Sequence, residues 1–135
     1  MRKILFGALA VFAVFGFIRE TNIQEKGPWV APSSAKEIKN PVSTKKISAS
    51  AKKGAKSFKQ FCVVCHGESG VGNGPGSKAL DPKPANLTSA LVQDQVDGEI
   101  FWKISNGRNA MIKWDPIIPE VDRWNLVNYI RTLKK

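Results

Sequence analysis

The stretch Gln60–Gly76, QFCVVCHGESGVGNGPG, holds both cysteines of the chain and its only histidine. Cys62, Cys65 and His66 fall within five residues, and glycine then recurs at every second position from Gly70 to Gly76. A disulfide between Cys62 and Cys65 would close a very small loop and stabilise little. A thiol–disulfide oxidoreductase sets its Cys-x-x-Cys near a βαβ pattern, and no strand pattern precedes Cys62. Structural zinc normally takes four protein ligands, whereas this site offers two thiolates and one imidazole. None of the three explains a histidine directly after the second cysteine.

Covalent haem does, because Cys-x-x-Cys-His is the attachment signal for c-type haem. Cysteines three apart lie on one side of a helical turn, so each can form a thioether with a vinyl group. The adjacent imidazole of His66 can then coordinate iron from below the porphyrin. A sixth ligand must come from elsewhere, and the chain has no second histidine. Met1 lies in the N-terminal segment, which leaves Met111, 45 residues past His66 in GRNAMIKW. Alone, a methionine reads as a core gap-filler. With haem accepted, Met111 is the expected axial ligand, with a lysine or an open site as the alternatives. Methionine opposite histidine raises the reduction potential. The glycines from Gly70 to Gly76 would let the chain press against a haem edge where side chains would clash. A metal-bound histidine usually donates its other N–H to an acceptor, and the carbonyl of Pro75 is a candidate.

Outward from this motif the chain divides into three. Residues 1–18 open with Arg2 and Lys3, and Ile4 to Ile18 is an uncharged apolar run of fifteen. That suits a signal peptide, and is short for a helix crossing a bilayer core of ~30 Å. The cleavage signal is poor, so an uncleaved membrane anchor is the competing reading. Residues 19–46 read as a flexible linker. Pro28, Pro32 and Pro41 interrupt them and no apolar period appears. A linker of that length has an r.m.s. reach of ~30 Å.

Residues 47–135 form the folded domain, and the pattern is all-α. Ala51, Ala55, Phe58 and Cys62 recur at helical spacing behind Ser48 or Ser50 as N-cap. A short helix is expected over DGEIFWKISNG, with Asp97 as cap and Gly107 as stop. PEVDRWNLVNYIRTLKK has Pro119 and two acids at its start and basic residues at its end, as the helix dipole favours. A Gly- and Pro-rich loop, Gly67 to Pro84, lies between the first two helices. Three short helices make a thin core, which a covalently bound apolar plate would complete.

The formal charge is +10, from 21 basic and 11 acidic residues, so acidic partners or an anionic surface suit the chain better than basic ones. Nucleic acid is not expected, since neither zinc-finger spacing nor an aromatic-rich repeat is present. Lys52, Lys53, Lys56 and Lys59 lie on the first helix, which leads into the haem motif, and should place positive charge around the haem edge. Trp102 and Trp124 read as core.

Residues 47–135 resemble the class I c-type cytochromes in their small monohaem bacterial form. Gly54, Phe58 and Cys62 stand at that family's spacing of glycine, aromatic and first haem cysteine. Leu126 and Tyr129 match the positions where the last helix crosses the first. Gly74-Pro75 matches the family's Gly-Pro, whose proline carbonyl accepts from the proximal histidine, and Trp114 matches a tryptophan near a haem propionate. GNGPGSKALDPKPANLT and DGEIFWKISNGRNAM look like the haem subunits attached to terminal oxidases. Ile112 stands where many bacterial members have proline, as it does in mitochondrial-type members, and Asn73 where many have aspartate.

The resemblance implies a cytochrome c fold of three to five short helices around one covalent haem c. It implies Cys62, Cys65, His66, Met111 and Pro75 as cofactor-binding residues, with His66 and Met111 on the iron. The implied function is one-electron transfer in a respiratory chain, with no catalytic residues, on the periplasmic side of the inner membrane. A permanent electron-entry subunit of a terminal oxidase or periplasmic dehydrogenase is the alternative. A haem enzyme or ligand sensor needs an open iron site, against which Met111 argues. Partners are expected to be redox proteins with an acidic docking surface, with a possible membrane tether through residues 4–18.

Overall fold

The computed structural model describes residues 28–135. The segment read as a signal peptide or anchor lies outside the described residues, and among these no helix is long and apolar enough to cross a membrane. Five α-helices appear: α1 Ile47–Phe61, α2 Val63–His66, α3 Ala90–Gln93, α4 Asp97–Asn106 and α5 Glu120–Thr132. Three 3-10 segments join them, Ser33–Glu37, Thr44–Lys46 and Pro75–Ala79. Among the described residues there is no strand, only an isolated bridge between Arg108 and Met111. The all-α expectation holds.

The fold is organised by the crossing of α1 and α5. Gly54 sits where the two helices meet, and a Cβ there would overlap the Asn125 carbonyl and lie 2.9 Å from Cβ of Tyr129. Glycine lets the backbones approach this closely. One turn on, the rings of Phe58 and Tyr129 pack with centroids 5.0 Å apart. Ser50, expected as a cap, lies instead inside α1 and is buried. Its hydroxyl donates to Asn125 Oδ1 (2.5 Å) and accepts from Asn128 Nδ2 (2.8 Å). Ser48 makes no cap bond either, because a 3-10 turn at Thr44–Lys46 feeds α1 and supplies its entry.

Helix α4 packs on α5 through Phe101, whose ring stacks on Trp124 at 4.1 Å and 11°. The buried Arg123 places its guanidinium 4.9 Å from the Phe101 centroid and pairs with Asp115 at 2.7 Å. It also donates to the Ser105 hydroxyl and the Ile118 carbonyl, so its charge is matched where burial would otherwise be costly. Asp97 opens α4 but does not cap it. Glu99 accepts from the Val96 amide (3.0 Å), while Asp97 accepts from Arg131 (2.7 Å) and Asn40 (2.8 Å). Gly107, at φ 63°, ends the helix as expected.

Residues 28–46, expected as part of a flexible linker, are packed on the domain. Ala35 is fully buried and Ala31 nearly so. At Gly98 a Cβ would overlap the carbonyls of Ala35 and Ile38, so the segment lies directly on α4. Asn40 Nδ2 reaches both Asp97 and Asn128 Oδ1 at 2.8 Å. The segment shows no apolar period because it anchors through scattered residues rather than through one face.

Candidate haem site

Helix α1 delivers Cys62 at its C-terminal end, and the chain turns at once into α2, so that Cys62 and His66 stand one helical turn apart. The His66 amide donates to the Cys62 carbonyl at 2.8 Å. No disulfide joins Cys62 to Cys65. Burial, with a smaller contribution from Cys65, pushes the Cys62 thiol up to about 12. Burial lowers the His66 imidazole below its ordinary value, against a smaller opposing effect of its backbone hydrogen bond, so the neutral form that a metal needs is favoured.

Cys62, His66 and Met111 line one cavity of about 340 Å³. Phe58, Leu87, Val92, Ile100, Ile104 and Leu126, all of them core residues, also line it. Trp114 also lines it and packs on Phe61 with centroids 5.5 Å apart. A mostly apolar cavity with Cys62, His66 and Met111 among its lining residues fits haem. Cys65 does not line the cavity. It lies on α2 beside Cys62, and its carbonyl accepts from the Gly74 amide at 3.1 Å.

The acceptor expected at Pro75 is elsewhere. His66 Nδ1 lies 3.1 Å from the carbonyl oxygen of Ala85, and Pro75, itself exposed, begins a 3-10 turn that does not line the cavity. Loop 67–87 folds back so that KPANL, not GNGPG, lies beside the imidazole. The Gly72 amide bonds the His66 carbonyl (2.8 Å) and the Leu87 amide bonds the Gly70 carbonyl (2.7 Å).

The glycines therefore serve the loop rather than a haem edge, and none of Gly70, Gly72, Gly74 or Gly76 lines the cavity. A Cβ at Gly72 would overlap the Pro84 carbonyl, and one at Gly74 would crowd the Val63 and Val64 carbonyls. Gly70 and Gly72 also have positive φ, 73° and 85°.

Charge at the cavity differs from the expectation too. Lys52, Lys53, Lys56 and Lys59 are exposed on α1, but none of them lines the cavity. The lysine that does is Lys103, on α4, which donates to Gln95 Oε1 at 2.5 Å. Burial pulls its ammonium below the ordinary lysine range, with Glu99 opposing and Arg108 adding to the effect. Sequence reasoning passed over Lys103, which reads as one more cation on an amphipathic helix. Trp29, at the rim, was hidden by its polar and proline-rich surroundings, although a tryptophan in such a segment is itself a signal of packing.

Residues 49–130 match the family described as cytochrome C oxidase, cbb3-type, subunit III. The chain belongs to that family. It is a class I c-type cytochrome, and it carries covalently bound haem c. Three solved structures are similar to it. A protein of the Kuenenia stuttgartiensis reducing HAO-like protein complex is 20% identical, with a TM-score of 0.61 over 73% of this chain and 50% of its own. The cytochrome thus spans about half the length of that relative. The KustC0563 c-type cytochrome is 27% identical, with a TM-score of 0.51 over 61% of this chain and 98% of its own. Cytochrome cL from Hyphomicrobium denitrificans is 19% identical, with a TM-score of 0.54 over 78% of this chain and 64% of its own. The first and third show the fold. A comparison with curated proteins gave no match.

Proposed function

We propose that this cytochrome is a one-electron carrier of a respiratory chain on the periplasmic side of the inner membrane, and not itself a catalyst. Cys62 and Cys65 would hold the haem by thioethers, and His66 and Met111 would bind its iron. The observation that carries this reading is the meeting of Cys62, His66 and Met111 on one apolar cavity, although Met111 comes from a loop far along the chain. Haem c supplies the ferrous/ferric couple. The Ala85 carbonyl orients the His66 imidazole, the Met111 thioether would bind the iron, and aliphatic side chains would exclude water. Two protein ligands suit electron transfer better than oxygen activation.

Its partners present acidic surfaces. The formal charge of +10 and the exposed lysines of α1 support this, since complementary charge chiefly accelerates encounter. Residues 1–18 direct export and, where uncleaved, tether the domain to the membrane. A second reading, a permanent electron-entry subunit of an oxidase or dehydrogenase, draws on the oxidase-subunit description of the family.

A redox titration followed in the visible spectrum tests the carrier and should give one reversible one-electron transition. The rate with its physiological partner should fall as ionic strength rises, and fall further in Lys53→Glu/Lys56→Glu with an unchanged haem spectrum. A rate indifferent to salt and to both reversals, with stable co-purification of the partner, favours the subunit.

A further inference from the structure

We infer that residues 28–40 form a strap across the haem cavity in which Trp29 is a positioning residue, closing one rim against solvent and thereby raising the reduction potential. This rests on the cavity being the haem site. The family match covers residues 49–130, and the strap lies ahead of it in the chain.

Its path is fixed at both ends of α4. Near the start of the helix, Ala35 and Ile38 lie on Gly98, and Asn40 bonds Asp97 and Asn128. Near its end, the Trp29 ring meets the Trp102 ring edge-on with centroids 6.4 Å apart. Lys103 Nζ lies 5.6 Å from the Trp29 ring centroid and Arg108 Cζ 5.8 Å. Both are within the range of a cation–π contact. The strap thus runs antiparallel to α4, the helix that carries Ile100, Lys103 and Ile104 into the cavity wall. Pro28, Trp29, Val30 and Ala31 themselves line the cavity.

Two effects on the iron follow, with the same sign. Ferric haem carries one more positive charge than ferrous haem, so displacing water from the rim disfavours the ferric state and raises the potential. Holding the Lys103 ammonium beside Trp29 at the cavity acts in the same direction. The strap also keeps small reagents away from this side, so electron exchange with them is directed to the rest of the haem edge.

The test uses full-length holoprotein with Trp29→Ala and Trp29→Phe. Covalent haem and methionine ligation are checked first by haem staining and by the near-infrared sulfur–iron band. Their absence in the unmutated protein would refute the haem-site reading and not the strap. With both present, Trp29→Ala should shift the potential negative. It should also speed reduction several-fold by both a small anionic and a small cationic outer-sphere reductant, while Trp29→Phe stays near the parent. Should Trp29→Ala fail to accumulate, Trp29→Ser, which likewise removes the ring and opens the rim, is read in the same way. An unchanged potential, or acceleration confined to the anionic reagent, overturns the inference, since the latter reports only freed cations.

Discussion

His66 Nδ1 meets the carbonyl oxygen of Ala85 at 3.1 Å, joining the haem motif to a segment nineteen residues further along the chain. That contact depends on Gly72, where a Cβ would overlap the Pro84 carbonyl and where φ is 85°. Gly72→Ala should therefore push the Pro84–Ala85 segment away from the imidazole. A histidine that loses its acceptor is a poorer donor to iron, so the potential should rise. Redox titration of the variant checks this, and an unchanged potential would mean the bond does not tune the iron.

Covalent attachment should need both thiols, even though only Cys62 lines the cavity. Haem should resist extraction by acid acetone in the parent protein. Cys62→Ala/Cys65→Ala should leave none attached, as read on a haem-stained denaturing gel. Extractable haem in the parent would refute the thioethers.

The two axial positions should respond differently. His66→Ala should abolish accumulation of holoprotein. Met111→Ala should keep covalent haem, lower the potential and admit small ligands such as imidazole, seen as a shift of the visible spectrum. It should also remove the near-infrared sulfur–iron band of the oxidised protein. Were that band already absent in the parent, the sixth ligand would be another residue or water.

Gly54→Val inserts bulk between two backbones in contact. Overpacking of this kind costs ~1–3 kcal/mol. For a domain of this size each kcal/mol lowers the melting temperature by ~4–8 °C. A thermal melt of the holoprotein measures the loss, and an unaltered midpoint would contradict the crossing of α1 and α5 at Gly54.

Lys103 should make the potential depend on pH. Its ammonium is held below the ordinary lysine range by burial, with Glu99 opposing and Arg108 assisting. The charged form beside the cavity favours ferrous iron, so the potential should fall as pH rises through the lowered pKa. Because folding depresses this pKa, the charged form costs stability below it, and the cost is relieved as pH rises from the folded towards the unfolded pKa. Lys103→Met should flatten the potential's response between neutral and alkaline pH. An identical slope in the variant would assign the titration to another group.

The sequence alone determined the chemistry of this protein and the helices that carry it. Cys62, Cys65 and His66 name their cofactor because covalent haem needs those groups at that local spacing, and local spacing is written in the chain. The helices around Phe58, Ile104 and Leu126 were legible for a similar reason, since apolar period and helix-end residues act over a few positions. Tertiary structure decided which distant backbone meets the site. The partner of His66 is Ala85 rather than Pro75, because a carbonyl acceptor carries no side-chain signature and is chosen by how loop 67–87 folds back. The glycines of that loop face other backbone segments, which only the folded loop reveals. Residues 28–46 read as linker because their anchors, Trp29, Ala35 and Asn40, follow no period. They are held by surfaces of α4 and α5 that exist only once those helices have packed.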